Sequence, residues 1–454
     1  MNQNEDNPTS FLGVQPRDIL CADKLVELEK VDKSCNQESW CIAWAPDCSY
    51  VAWSQGGGIV YLLPWAPDEG QLLKKPTRDQ SCENLNDIEE QPFFDNLPRL
   101  SQPDGVDEIE GDFEWNQSPG PSNNRQVEAQ RFRIDCMDYV WSMTFGSGIS
   151  RSKNNVTKRR RFSFNSDLIL VTGLQGGKIK VWNVYTGNLI MELLDHKKNV
   201  HGLSVMCDGT LKLASCSADC TIKCWDLNND GNMYKTLRFK ENVMVFDCKW
   251  SPNCKQLAAV GMNKCAYVWN TSNLSQPRKL SGHLHNVVHC DFSPDGALLA
   301  TASFDTRVIL WDPYTGDQIK TLGHMFPSPR PIYAGGANEH YARCVSFSKH
   351  GYRIATVADD GFLRVWSLED SEENPLSIAE IQKPLCCCYS SNGHVISTGN
   401  RAGKIEIFRP QPCGVAKLQH LCRMSVRQKI QEPKLVDSLQ YPFRLKEYLK
   451  YKHL

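Results

Sequence analysis

A strand-ending aromatic residue recurs along this chain, and six positions before it stands a residue suited to a tight turn. Asp305 precedes Trp311, Asp219 precedes Trp225 and Asp360 precedes Trp366, each by six. Asn263 and Trp269 keep that spacing, as do Gly176 and Trp182, and weaker copies pair Gly56 with Leu62 and Ala402 with Phe408. Seven copies result, 42 to 44 residues apart wherever no insertion intervenes. One copy reads "GHLHNVVHCDFSPDGALLATASFDTRVILWDPYTGDQI". It holds three short strand patterns, around VVHCDFS, LLATAS and RVILWD, split by turns at PDG and FDT. A unit this small buries its apolar faces only by stacking on neighbours, so the period predicts sheets packed in series.

Two gaps exceed the period. The first, between Leu62 and Trp182, takes in the stretch from Ala66 to Gln130, where 15 Asp and Glu face 5 Lys and Arg. Rich in Pro, Asn and Gln as well, this insertion is expected to be disordered. The same gap holds a basic loop at 147–163, and the second gap is filled by the Pro- and Gly-rich "GHMFPSPRPIYAGGANEHY". Upstream, "DKLVELEK" is expected to add an outer strand to the seventh repeat. The organisation expected is a flexible N-terminus at 1–17, seven repeats at 18–409 and a distinct unit at 410–454.

The repeats resemble the WD40 family, which implies an all-β, seven-bladed propeller with four-stranded blades and little exposed edge. The resemblance also implies hydrogen-bonded tetrads: His283, Ser303, Asp305 and Trp311 in the fifth repeat, and His196, Ser217, Asp219 and Trp225 in the third. A buried Asp must be paired, and a His, a hydroxyl and an indole N–H complete such a network. In this family the residue before the tight-turn Asp lines one face. The corresponding positions are Gln55, Gln175, Ala218, Met262, Phe304, Asp359 and Arg401, a mixture of apolar and charged groups that suits a protein target better than a phosphate.

Few other chemistries find support. The net charge of −1 makes the chain as a whole no polyanion binder, so nucleic acid is not expected as a partner. The start "MNQNEDNPTS" lacks a basic region followed by an apolar run, and no run approaches 18 apolar residues, so neither a secretory leader nor a membrane span is expected. The twenty cysteines then read as reduced, buried small hydrophobes, and the placement expected is cytoplasmic, with a nuclear pool as well. "TKRRRF" at 157–162 reads as a solvated loop or an import signal. His283, His285 and His289 cluster, but the tetrad uses the first and the others fall on a loop and a strand. Cys216, Cys220 and Cys224 straddle a turn at the wrong spacing for paired zinc knuckles. The clusters "QGGGIV" and "LQGGKIKVW" lack the phosphate-loop pattern and do not open a helix, and no GxSxG elbow is present. No metal, no cofactor and no catalytic residue are expected.

The last stretch, "KLQHLCRMSVRQKIQEPKLVDSLQYPFRLKEYLKYKHL", is different in kind. From Cys413 onward 9 basic residues face 3 acids. Leu418, Cys422 and Val426 recur every fourth residue, one stripe of a helix expected from Lys417 to Ile430. A second amphipathic run carries Leu445, Tyr448 and Leu449. Some forty residues bury little core alone, so this unit packs on its own protein or offers its apolar face to another.

These residues resemble the SOCS box, whose first half implies docking to elongin B and elongin C through Leu418, Leu421, Cys422 and Val426. Lys417 stands where a small residue is usual. The second half is built around Leu-Pro-x-Pro, matched here by Leu439-Gln440-Tyr441-Pro442. It implies cullin-5, with its RING protein, through Leu439, Tyr441, Pro442, Leu445, Tyr448 and Leu449. The chain as a whole resembles the WD repeat and SOCS box-containing proteins. That resemblance implies a non-catalytic substrate receptor of a ubiquitin ligase, marking a target protein for proteasomal degradation in intracellular signalling. The alternative is a WD40 scaffold whose tail only packs on its own propeller.

Overall fold

The computed structural model describes residues 20–28, 38–65, 132–148, 168–324, 340–369, 374–411, 417–430 and 432–452. The expected flexible N-terminus, the acidic insertion at 66–130 and nearly all of the basic loop at 147–163 lie outside the described residues.

Among the described residues, seven sheets form a seven-bladed propeller; six have four antiparallel strands, and one adds a fifth, parallel strand at its edge. The innermost strands are Ile42–Trp44, Val140–Ser147, Val200–Val205, Val245–Trp250, Val287–Phe292, Ala342–Phe347 and Pro384–Tyr389, in blades one to seven. Each packs against the innermost strands on either side, and the series closes on itself. There is no single core. Seven apolar clusters instead fill the seven joints between neighbouring blades. This explains a burial gradient along each blade. Second strands such as Arg353–Ala358 and Gln256–Gly261 are buried throughout, whereas the outer strand Asn232–Leu237 is exposed except at its end. The outer strand Asn273–Ser281 tolerates Pro277 because an edge needs no amide there.

The innermost strands present an unpaired edge to the axis, and side chains of the preceding blade cover part of it. Trp250 N donates to Ser204 Oγ (3.0 Å) and Cys290 N to Asp247 Oδ2 (3.1 Å). Phe347 N donates to Asp291 Oδ2 (2.8 Å) and Tyr389 N to Ser346 Oγ (3.1 Å). Burial pushes the Asp291 carboxyl up to about 6, against the pull of Lys249.

Closure comes from the N-terminal side. Asp23–Leu28 pairs antiparallel with Ile405–Arg409, with Asp23 opposite Arg409 and Leu28 opposite Ile405. Lys404 Nζ meets Glu27 Oε1 at 2.9 Å across this seam. Just upstream, Leu20–Cys21 adds a short parallel strand to the edge of blade six, beside Ser377–Ile378. The N-terminal segment thus straps blades six and seven together.

Strands alternate in direction, so the turns sort onto two faces. Links between blades and second-to-third turns share an upper face; first-to-second and third-to-outer turns share a lower face. Among the described residues, three helices lie on the lower face beneath blades five and six: α1 (Leu418–Lys429), α2 (Pro433–Ser438) and α3 (Phe443–Leu449).

Candidate functional site

The tetrads hold the upper turns in place, though with a different hydroxyl from the one expected. His283 Nδ1 donates to Asp305 Oδ2 (2.8 Å), while its Nε2 meets Thr301 Oγ1 (2.7 Å), which also accepts the Trp311 indole N–H (2.8 Å). In blade three, Ser215 takes the same place between His196 and Trp225. Ser303 and Ser217 instead accept the amides of Asp305 and Asp219. Register explains the correction. Trp311 lies opposite Leu299, so Thr301 is its diagonal neighbour and Ser303 lies two residues farther along the strand. Blade six keeps the shared hydroxyl, Thr356, between His324 and Trp366, but there Arg364 binds Asp360, with the His340 ring 3.7 Å from the same carboxylate. A constant spacing of ten, from Thr172, Ser215, Thr301 and Thr356 to their tryptophans, was the signal in the sequence. Burial alone would raise the Asp305 carboxyl; the His283 ring holds it below the usual carboxylate range.

Of the seven positions expected to line the upper face, Gln175, Met262 and Arg401 are exposed, and Phe304 and Asp359 are half-buried. Gln55 and Ala218 are buried and present nothing to a partner. In blade one the second strand runs on through Gln55, opposite Ile59, which draws that side chain inward. Asp359 is already committed, because Arg343 binds both of its oxygens at 2.7 Å while lying 5.0 Å from the Phe304 ring centre.

The residues missed were those of a bulge. Six innermost strands slip register at one point, at Trp141, His201, Phe246, Val288, Arg343 and Leu385. A bulge places an extra residue outside the ladder and re-aims it. Trp141 packs on Trp40 (5.0 Å between ring centres) and on His201 (5.1 Å), and His201 on Phe246 (5.9 Å). An aromatic arc therefore rims blades two to four. Opposite it, Phe304 stacks on Tyr341 at 4.8 Å.

On the lower face, α1 is amphipathic in the reverse of the usual sense. His420, Arg423, Met424 and Arg427, one stripe at spacings of three and four, are buried. His420 Nε2 donates to the His350 carbonyl (2.8 Å), leaving Nδ1 to accept from Arg423 Nη2 (2.7 Å). Burial and the neighbouring Arg423 depress the His420 pKa, in keeping with that neutral ring. The Arg423 guanidinium lies over Tyr448 (4.3 Å) and Tyr451 (3.9 Å). Glu369 of blade six accepts the Lys417 amide at the start of the helix (3.0 Å), where its charge also suits the helix dipole.

The other side of α1 faces solvent. Leu418 is 76% exposed, Leu421 is 37% exposed, Cys422 is exposed and Val426 half-buried. The expected second set divides. Tyr441, Pro442 and Leu445 are exposed and Leu439 is half-buried, but Leu449 is buried and Tyr448 lies under Arg423. The inner side of α3 packs against α1, which consumes those two. Phe443 (75% exposed) and Leu435 extend the open apolar surface instead. Lys450 joins α3 to Asp437 of α2 at 2.6 Å.

Comparison with known proteins agrees with this division. The WD domain, G-beta repeat (WD40) model matches residues 187–226, 231–270, 274–312 and 334–367, and the SOCS box model matches 414–450. WD repeat and SOCS box-containing protein 1 of Mus musculus is 41% identical over 427 residues, covering 93% of each chain. Its Homo sapiens counterpart is 42% identical over 424 residues, again 93% of each. The Danio rerio protein of that name is 40% identical over 458 residues, 100% of this chain and 98% of its own. The chain belongs to the WD repeat and SOCS box-containing protein family.

Proposed function

We propose that the protein is a non-catalytic substrate receptor of a cullin–RING ubiquitin ligase. The helical unit docks elongin B and elongin C through Leu418, Leu421, Cys422 and Val426, and cullin-5 with its RING protein through Leu439, Tyr441, Pro442 and Leu445. The upper face of the propeller holds a target protein, which is ubiquitinated and degraded. The contribution of this chain is proximity: it raises the effective concentration of a target lysine near the charged conjugating enzyme.

One observation carries the reading. A helix that buries two arginines and a histidine while leaving Leu418, Leu421 and Cys422 in solvent is arranged for a partner, since apolar residues on the open side are otherwise a cost. Packing on its own propeller and docking a partner use opposite sides of α1, so the scaffold alternative and the receptor reading differ only in what the open side does.

The test is co-purification of the full chain with elongins B and C and cullin-5, beside Leu418→Asp, Cys422→Phe. Both positions are exposed, so the variant keeps the fold. The expected result is capture by the wild type and at least tenfold less by the variant. Equal capture by both, or none by either, leaves a WD40 scaffold without ligase association.

A further inference from the structure

On the upper face, acids and bases are treated differently. Along blades two to four every described acid there is hydrogen-bonded within the protein, but only Asp195, Asp219 and Glu241 have a side-chain partner that carries or can carry charge. Asp138 accepts the Gly176 amide (2.8 Å), Asp195 pairs with Lys223, Asp219 with His196 (2.8 Å), and Glu241 with Lys279 (3.2 Å) and the Tyr267 hydroxyl (2.8 Å). Lys178, Lys197, Lys198, Lys240 and Lys264 occupy the same turns and links, are exposed, and form no ion pair among the described residues. Five such lysines stand against Asp135 and Asp138, which only backbone amides hold, so the uncompensated charge of this crescent is positive, although the whole chain carries a net charge of −1.

The crescent coincides blade by blade with the aromatic arc. Blade two offers Trp141 inside Lys178, blade three His201 inside Lys197 and Lys198, and blade four Phe246 inside Lys240 and Lys264. Exposed Met262 shares the blade-four turn with Lys264. An apolar rim bordered by unpaired cations matches a segment whose apolar side chains alternate with negative ones. The rings pack edge-to-face, Trp141 on His201 at 78° and His201 on Phe246 at 65°, so they offer no row of parallel open faces for stacked bases.

We infer that blades two to four bind an extended peptide of the target bearing anionic side chains, its apolar residues on Trp141, His201 and Phe246 and its charges toward the five lysines. This rests on the receptor reading above and names the chemical class of its target segment. The anions are encoded Asp and Glu side chains.

The test pans a phage-displayed library of random peptides on the full chain. The selected sequence is then measured by fluorescence anisotropy as fluorescein-labelled peptides with its acids intact, with Asn and Gln in their place, and with phosphoserine in their place. Acidic positions are expected to be enriched, the amide peptide to bind at least tenfold more weakly, and affinity to fall as salt rises. Lys197→Glu, Lys198→Glu, Lys240→Glu is expected to lose at least tenfold in affinity while keeping its Tm and its elongin capture. Equal or weaker binding of the phosphoserine peptide supports encoded acids, and tighter binding overturns that assignment in favour of a phosphorylated segment. Failure of the library to return acidic sequences overturns the inference, as does unchanged affinity in the triple variant. Displacement of the peptide by oligouridylate at equal or lower concentration also overturns it, in favour of a nucleic-acid surface. Elongin capture does not use the crescent. Its survival beside a failed peptide test therefore leaves the receptor reading standing, and its loss beside a successful one leaves a peptide-binding propeller without a ligase.

Discussion

The Tyr451 hydroxyl donates to Oδ2 of Asp295 at 2.8 Å, joining the end of the tail to the lower turn of blade five. Oδ1 of the same carboxylate serves its own turn, accepting from Ser293 Oγ (2.6 Å) and the Ala297 amide (3.1 Å). Tyr451 is 1% exposed and belongs to the apolar cluster between blades five and six. The helical unit is thus part of the propeller's packing.

Tyr451→Phe should therefore destabilise the propeller itself, by about 1–3 kcal/mol, since it strands a buried carboxylate oxygen. Tyr451→Ala should cost more, about 3–5 kcal/mol, because it also opens a cavity. Urea unfolding followed by tryptophan fluorescence, most of which arises in the blades, reads both. An unchanged midpoint in Tyr451→Ala would show that tail and propeller unfold independently.

The two sides of α1 should separate by mutation. Arg423→Ala removes the group lying over Tyr448 and Tyr451 and is expected to lower Tm. Leu418→Asp, at a largely exposed position, should leave the unfolding free energy within about 0.5 kcal/mol of wild type and abolish elongin capture. Differential scanning calorimetry beside the co-purification assay distinguishes the two variants.

Thr301→Val should cost more than Ser303→Ala, although both delete one hydroxyl from the same strand. The first leaves the Trp311 indole N–H without its acceptor and His283 Nε2 without its partner, a loss of about 2–4 kcal/mol for two buried groups. The second removes the bond from the Asp305 amide and the bond to the His285 carbonyl, both long at 3.2 Å, about 1–2 kcal/mol together. Equal midpoints in urea would contradict the assignment of the shared hydroxyl.

Acid should weaken blade six through His324. Burial, aided by the nearby Arg364 charge, holds its pKa down to about 3, against 6.5 ordinarily. The unfolded chain binds this proton below pH 6.5 and the folded chain resists it, so the stability present above 6.5 is lost as pH falls toward 3. Between pH 7 and pH 5 the loss is about 2 kcal/mol. Thermal unfolding across that range should show a shallower decline in His324→Gln; parallel curves for the two proteins would refute the assignment.

The number of blades, the closing strand and the presence of a helical tail were legible because each is written locally. A turn residue six before an aromatic repeats wherever the same hairpin forms, and "DKLVEL" is a strand-length run lying just upstream of the first repeat. Leu418, Cys422 and Val426 share a stripe for the same reason, since 3.6 residues per turn is a property of the backbone alone.

Which neighbour each group meets is another matter. Thr301 and Ser303 point to the same side of one strand, and only the register against Trp311 selects between them. Gln55 and Arg401 occupy matching places in the repeat, yet one is buried and the other exposed, because blade one extends its second strand by a residue. The bulges that turn Trp141, His201 and Phe246 outward arise where an inner strand meets both its own sheet and the next blade. In the tail, the helical period decided that two stripes exist. The propeller decided which one faces solvent, by offering the His350 carbonyl to a histidine, Glu369 to the helix start and Asp295 to a tyrosine. Spacing along the chain settles periodic structure, because that depends on bonds between near neighbours. Exposure and pairing depend on surfaces brought together from distant parts of the chain, and these exist only once the ring has closed.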